Sequence, residues 1–320
     1  MRLLCEHAHS FNPALRLNAL WALKHFVDGV SAHLRKTCLE LLEPGWLIRL
    51  ISDEDQDEGL YTSRMVDDLD EEMDSEQLDG APRWLYAAEG AICSVDASES
   101  SRLRQIEDYL SSIRESESNP LPRTRNDIVA VQEQGVDFIR NLIGRVDGGV
   151  GADPSAANPE VIDYLFKALG QDRLFEILAA KLRAKILHPF ARKASSSGRE
   201  TKIVHPNARI VTVVIYILTH IAATGPRYCQ LVISQTELLK LLAQQANNKD
   251  CEVRLALCRL LYNLTTKDNG AESQACAQRA AELKRLGFAT KIETLMKQDR
   301  DLNVRENARM AAWLIDNPAS

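Results

Sequence analysis

CRLLYNLT (258–265) and ALWALKHF (19–26) are apolar octamers from opposite ends of the chain, and each carries a polar residue near its close. Their apolar residues recur at spacings of three and four, which places them on one face of a helix. Three more segments share the frame: VDFIRNL (136–142), IYILTHI (215–221) and RMAAWLI (309–315). Most are preceded by a short polar start, as in NPALRLN (12–18), CEVRLA (251–256) and LNVREN (302–307). Asn12 and Pro13 suit a helix N-terminus, because Asn caps free amides and Pro lacks a donor that the first turn does not use. The five segments therefore predict long helices near 12–27, 127–144, 207–223, 250–265 and 301–316.

Between the later members lie pairs of shorter amphipathic runs: RYCQLVIS then TELLKLLAQQ (227–234, 236–245), and CAQRAAELKRL then FATKIETLMKQ (276–286, 288–298). The unit is a short, a medium and a long helix. His220 to Asn263 is 43 residues and Asn263 to Leu314 is 51, close to the period of roughly 40–47 residues in helical-repeat solenoids. The earlier intervals are longer, 116 residues from His25 to Asn141 and 79 from Asn141 to His220. Each reads as one repeat enlarged by an insertion, which a stack of nearest-neighbour contacts tolerates.

Charge locates those insertions. Between Asp53 and Asp79, thirteen Asp/Glu face the single Arg64, so a net charge of −6 divides into −12 here and +6 elsewhere. Such a tract repels itself and has little to bury, which predicts disorder. KILHPFARKASSSGRETK (185–202) carries five Lys/Arg against one Glu and reads as a basic loop. Residues 53–80 and 193–204 are expected to be irregular and exposed. The expected organisation is repeats over 1–52, an acidic insertion over 53–125, and repeats over 126–316 with a basic loop at 184–205.

The octamers resemble the third helix of an armadillo repeat, whose pattern runs Ala-Trp-Ala-Leu-x-Asn-Leu. HSFNPALRLNALWALKHF with LIRLISDED, and the closing KDCEVRLALCRLLYNLT through RENARMAAWLI, resemble the C-terminal part of the armadillo repeat-containing protein 8 family, fungal type. The resemblance covers roughly residues 8–52 and 126–316. It implies an all-α, right-handed superhelical solenoid of about four and a half repeats. It also implies a truncated N-terminal end, with Met1 opening almost directly on a third helix. The family's subunit is the noncatalytic scaffold of the GID/CTLH E3 ubiquitin ligase, which joins a substrate-receptor subunit to the ligase core. Partners of that kind are expected, in the cytoplasm or nucleus. An armadillo adaptor for nuclear transport or signalling is the alternative.

In armadillo proteins a Trp-x-x-x-Asn pair on each third helix projects into a concave groove. The resemblance places there Trp21 with His25, Asp137 with Asn141, Tyr216 with His220, Arg259 with Asn263, and Met310 with Leu314. Tyr262, beside Asn263, adds an amphipathic anchor of the type enriched at interface hot spots. A mixed ladder of Asn, His, Arg and Tyr implies one dedicated partner rather than a general reader of basic peptides. The expected core includes Leu23, Phe138, Leu142, Ile217, Leu218, Leu260, Leu261, Leu264 and Ile315.

Signals for chemistry are weak. Seven dispersed cysteines without a Cys-x-x-Cys pair suit buried thiols rather than zinc or disulfides. DGGVGAD (147–153) lacks the Lys-Ser/Thr of a phosphate loop, and HAH (7–9) lacks a third metal ligand. Asn263-Leu264-Thr265 spells a glycosylation acceptor inside an expected helix. IVTVVIYIL (210–218) is too short to cross a bilayer. No catalytic residue, cofactor, metal, nucleic acid, membrane or small-molecule substrate is expected.

Overall fold

The computed structural model describes residues 1–52, 120–144, 159–187, 202–266 and 273–318. All but the start of one helix belong to a compact unit, Met1–Glu54 with Val129–Ser320. Of the second unit, Asp55–Ile128, only residues 120–128 are described.

The described helices fall into triplets after an opening pair. The pair is α1 (Arg2–Ala8) and α2 (Pro13–Asp28). Then come α3 (Ala32–Leu41), α4 (Pro44–Ile51) and α5 (Pro120–Ile143). The next triplet is α6 (Pro159–Leu169), α7 (Gln171–Leu182) and α8 (Ala208–Ala222). It is followed by α9 (Pro226–Ile233), α10 (Thr236–Gln244) and α11 (Cys251–Thr265). The last is α12 (Ser273–Arg285), α13 (Phe288–Gln298) and α14 (Leu302–Asp316). The third helices are α2, α5, α8, α11 and α14. Each expected core residue is buried, with Leu261 and Leu264 fully enclosed.

Four of the third helices begin as their sequences predict. Asn12, Asn207, Asp250 and Asp301 each accept the free amides of the following turn. In α5 the helix starts earlier than 127. Pro120 and Pro122 both fall in its first turn, where a missing N–H costs nothing, so 120–125, expected as the close of the acidic insertion, is helical.

Two other expectations are corrected. A helix does precede the first octamer, where the resemblance has Met1 opening almost directly on a third helix: α1 packs on α2 and buries Cys5 and Ala8. Residues 202–204 are not irregular but form β2 (Lys202–Val204), paired antiparallel with β1 (Lys185–Leu187) in a two-stranded ribbon where α7 hands over to α8. Residues 53–80 and 193–201 lie outside the described residues.

Successive third helices pack on one another, α11 lying against both α8 and α14, while the second helix α10 packs on α7. The turn from first to second helix uses a left-handed residue in three triplets. Gly170 and Gly287, both at φ +81°, take it without strain, and Glu43 at φ +60° does not.

The corner from second to third helix repeats a specific device. Arg16, Arg254 and Arg305 occupy the fourth residue of their third helices, and each donates to the carbonyl of the residue six before it: Ser10, Asn248 and Asp299. The same three residues accept, through their side chains, the N–H of the helix-capping residue, at 3.1, 2.9 and 2.9 Å. The motif [Ser/Asn/Asp]-x-[Asn/Asp]-x-x-x-Arg is thus one folded corner made three times. In the other two triplets the chain between second and third helix is longer, and the motif is absent from 205–211 and from the start of α5.

Adjacent corners are also joined. Arg254 grips Asp299 of the next repeat with two hydrogen bonds of 2.6 and 2.9 Å, and both side chains are largely buried. The guanidinium holds the Asp299 carboxyl below the usual carboxylate range. A depressed carboxylate contributes stability above its unfolded value, near 4, that is lost as pH falls through the folded value. Arg254→Met should therefore cost about 3 kcal/mol at neutral pH by stranding Asp299. Thermal melts across pH 2–7 should show Asp299→Asn flattening the acid limb relative to wild type. Replacing Leu261 with Asp should unfold the last repeats, read as loss of soluble, cooperative melting.

Candidate protein-binding face

The predicted ladder positions do not share one environment. On α2, Trp21 is 55% exposed, and His25 meets it edge-on with ring centroids 4.6 Å apart. On α5, by contrast, Asp137 and Asn141 are buried. Asp137 pairs with buried Lys24 at 2.8 Å and with Arg140 at 3.0 Å. Asn141 donates its amide to the Lys24 carbonyl at 3.0 Å while its oxygen accepts from Arg140. These residues are not open as the ladder reading expects: their polar atoms tie α5 to α2.

The burial of α5 extends to Gln132 and Glu133. Gln132 donates to the Ser52 carbonyl and accepts from buried Lys181. Glu133 is paired with Arg209 of α8, and burial raises its carboxyl above the usual range against the opposing pull of that guanidinium. A third helix with polar side chains therefore sits between its neighbours as a bonded layer.

The C-terminal rungs are open. Tyr216 and His220 are half-buried on α8, and Arg259 and Tyr262 are exposed on α11. The Arg259 guanidinium donates to the Tyr216 hydroxyl at 3.0 Å, so adjacent rungs share a bond. Asn263 is half-buried and reaches the Thr219 carbonyl at 3.5 Å, the counterpart of Asn141 with Lys24 at greater length. On α14, Met310 is 50% and Trp313 54% exposed, with Leu314 half-buried. Trp313 is the residue that sequence reading missed. It lies 51 residues after Tyr262, as Met310 does after Arg259, and that register was its signal.

Other candidates resolve into structure. His9 packs against Trp46 with ring centroids 4.3 Å apart and planes tilted by 41°. Cys5, Cys38, Cys229, Cys258 and Cys276 are buried free thiols, while Cys93 and DGGVGAD lie outside the described residues. Among the described residues no group of three metal-binding side chains converges, and no helix is long and apolar enough to cross a membrane.

No family model and no curated protein matches the chain. Solved structures do. A crystal structure of computationally designed armadillo repeat proteins for modular peptide recognition has a TM-score of 0.50 and 15% identity, covering 98% of this chain and 81% of that one. A designed armadillo repeat protein in complex with the peptide (KR)4 has a TM-score of 0.43 and 14% identity, covering 98% of each chain. The first likeness, together with the helix triplets, defines the fold: the chain is an all-α solenoid of armadillo type.

The two kinds of rung separate experimentally. Asp137→Ala should strand the buried Lys24 ammonium and cost about 3–5 kcal/mol, lowering the thermal midpoint steeply. Tyr262→Ala should lower the midpoint far less, since the residue is 37% exposed and its loss leaves no buried charge behind.

Proposed function

We propose that the chain is a noncatalytic scaffold that holds another protein on its third-helix face, across α8, α11 and α14. The observation that carries this reading is the exposed row of Arg259, Tyr262, Met310 and Trp313 on two adjacent third helices, continuous with Tyr216 on a third. Large amphipathic and aromatic side chains left open at equivalent positions supply contact area at low entropic cost. The armadillo-type fold supports the same reading, as does peptide recognition in the designed protein it resembles.

The finer assignment rests on the family resemblance of the octamers and their flanks. On that reading the chain is the armadillo subunit of a GID/CTLH-type ubiquitin ligase in the cytoplasm or nucleus. The open face takes the substrate-receptor subunit, another face meets the ligase core, and ubiquitin transfer happens elsewhere.

Changing Tyr262 and Trp313 together to Ala should weaken partner binding by about 2–4 kcal/mol, enough to release a receptor subunit, with the helical fold intact. The measurement is co-purification from the native source, with circular dichroism on both chains. Equal recovery of the receptor would move the binding site off this face. Recovery of transport factors in place of ligase subunits would replace the ligase assignment.

A further inference from the structure

Resting on the binding face just described, we infer that its partner segment is acidic: an extended polypeptide stretch that sets a carboxylate on Arg259 and apolar side chains on Tyr262, Met310 and Trp313. Arg259 is exposed, and among the described residues its hydrogen-bond partner is the Tyr216 hydroxyl, with no carboxylate paired to it. A guanidinium carries five donors, and a neutral phenol oxygen occupies one. What remains is a fork suited to bidentate carboxylate.

The surrounding charges favour the same sign. Helix α8 (ARIVTVVIYILTHIA) contains no acidic residue. On α11, Asp250 is spent on capping, and Glu252 stands seven residues before Arg259, about 10 Å along the axis. On α14, Glu306 is paired with Arg309 and Asp316 with Lys284. Asp301 caps its own helix. The acids of this face are thus neutralised or displaced, and Arg259 stands uncompensated on an aromatic and thioether surface. A basic peptide would meet that cation without a counter-charge, and like-charge juxtaposition is a strong device of rejection.

Fluorescence anisotropy on the full chain tests this with short labelled peptides of identical apolar sequence bearing Glu, Gln or Lys at the charged positions. The Glu version should bind roughly tenfold or more tighter than the Gln version, the Lys version weakest, and the gap should shrink with salt. Arg259→Glu should invert the order with the fold unchanged. A Lys peptide that binds as tightly as the Glu peptide, or an order indifferent to Arg259→Glu, overturns the inference. The scaffold reading would survive that failure if Tyr262→Ala with Trp313→Ala still releases the receptor. In a third arm the acids of 53–79 are changed to Asn and Gln. Glu-peptide binding seen only in that chain would assign the face to the protein's own acidic tract and overturn a partner as its occupant.

Discussion

The last carbonyls of a third helix have no partner within the helix, and where they end in or at the edge of the stack a first-helix side chain answers them. Arg35 of α3 does so for two helices at once. Fully buried, it donates to the Asp28 and Val30 carbonyls at the end of α2 and to the Leu142 and Gly144 carbonyls at the end of α5. Burial lowers its pKa from the ordinary arginine value, with Asp28 opposing, yet among the described residues no carboxylate bonds it; two negative helix ends take that part. Arg279 repeats the device on α11, donating to the Leu264 and Thr266 carbonyls, with the Cys276 thiol on Thr265. At the end of α8 the Cys229 thiol of α9 donates to the Ala222 carbonyl at 3.1 Å. First-helix side chains thus tie α3 to the ends of α2 and α5, α9 to the end of α8, and α12 to the end of α11.

The opposite end of the repeat is where the chain has room to vary. Three corners are closed by the Arg and Asn/Asp motif, and the two that depart from it are where the acidic tract and the basic loop enter. A corner bonded to itself has no slack for an excursion. Where the motif is missing, other bonds replace it: the β1–β2 ribbon draws the two ends of the basic loop together, and Gln132 takes the Ser52 carbonyl where the acidic tract leaves. Long insertions cost little once their ends are held, because closure entropy grows slowly with loop length.

The third helices were legible because their signal is intrinsic to the segment: a 3.6-residue apolar period opened by a capping Asn or Asp. Arg35 was not. In AHLRKTCLEL it looks like one of several polar residues on a solvated face, and its burial depends not only on the nearby end of α2 but on where α5 ends, a fact held by residues more than a hundred positions away. Asp137 and Asn141 illustrate the same limit for the site. Their spacing of four places them on the same helical face as any ladder pair, but Lys24, which decides that they turn inward, belongs to another repeat. The corner motif could have been read, since its three copies are spaced alike from the helix start.

The inward use of one rung bears on what the open rungs can do. An Asn amide on a third helix has two claimants, the neighbouring repeat's carbonyl and a visiting chain. Asn141, at 3.0 Å from the Lys24 carbonyl and buried, is committed to the first, whereas Asn263 holds the Thr219 carbonyl at 3.5 Å and is half-open. Arg259 likewise spends one donor on Tyr216, which fixes the guanidinium while leaving most of it free. The scaffold therefore stiffens where its polar rungs are consumed and stays receptive where they are only partly used. The outer face of α14 follows the same economy. Glu306 and Arg309 stand there at the positions of buried Leu255 and Cys258 in α11, and they pair with each other. With its own charges satisfied, that face leaves Met310 and Trp313 as the groups with most to gain from a partner.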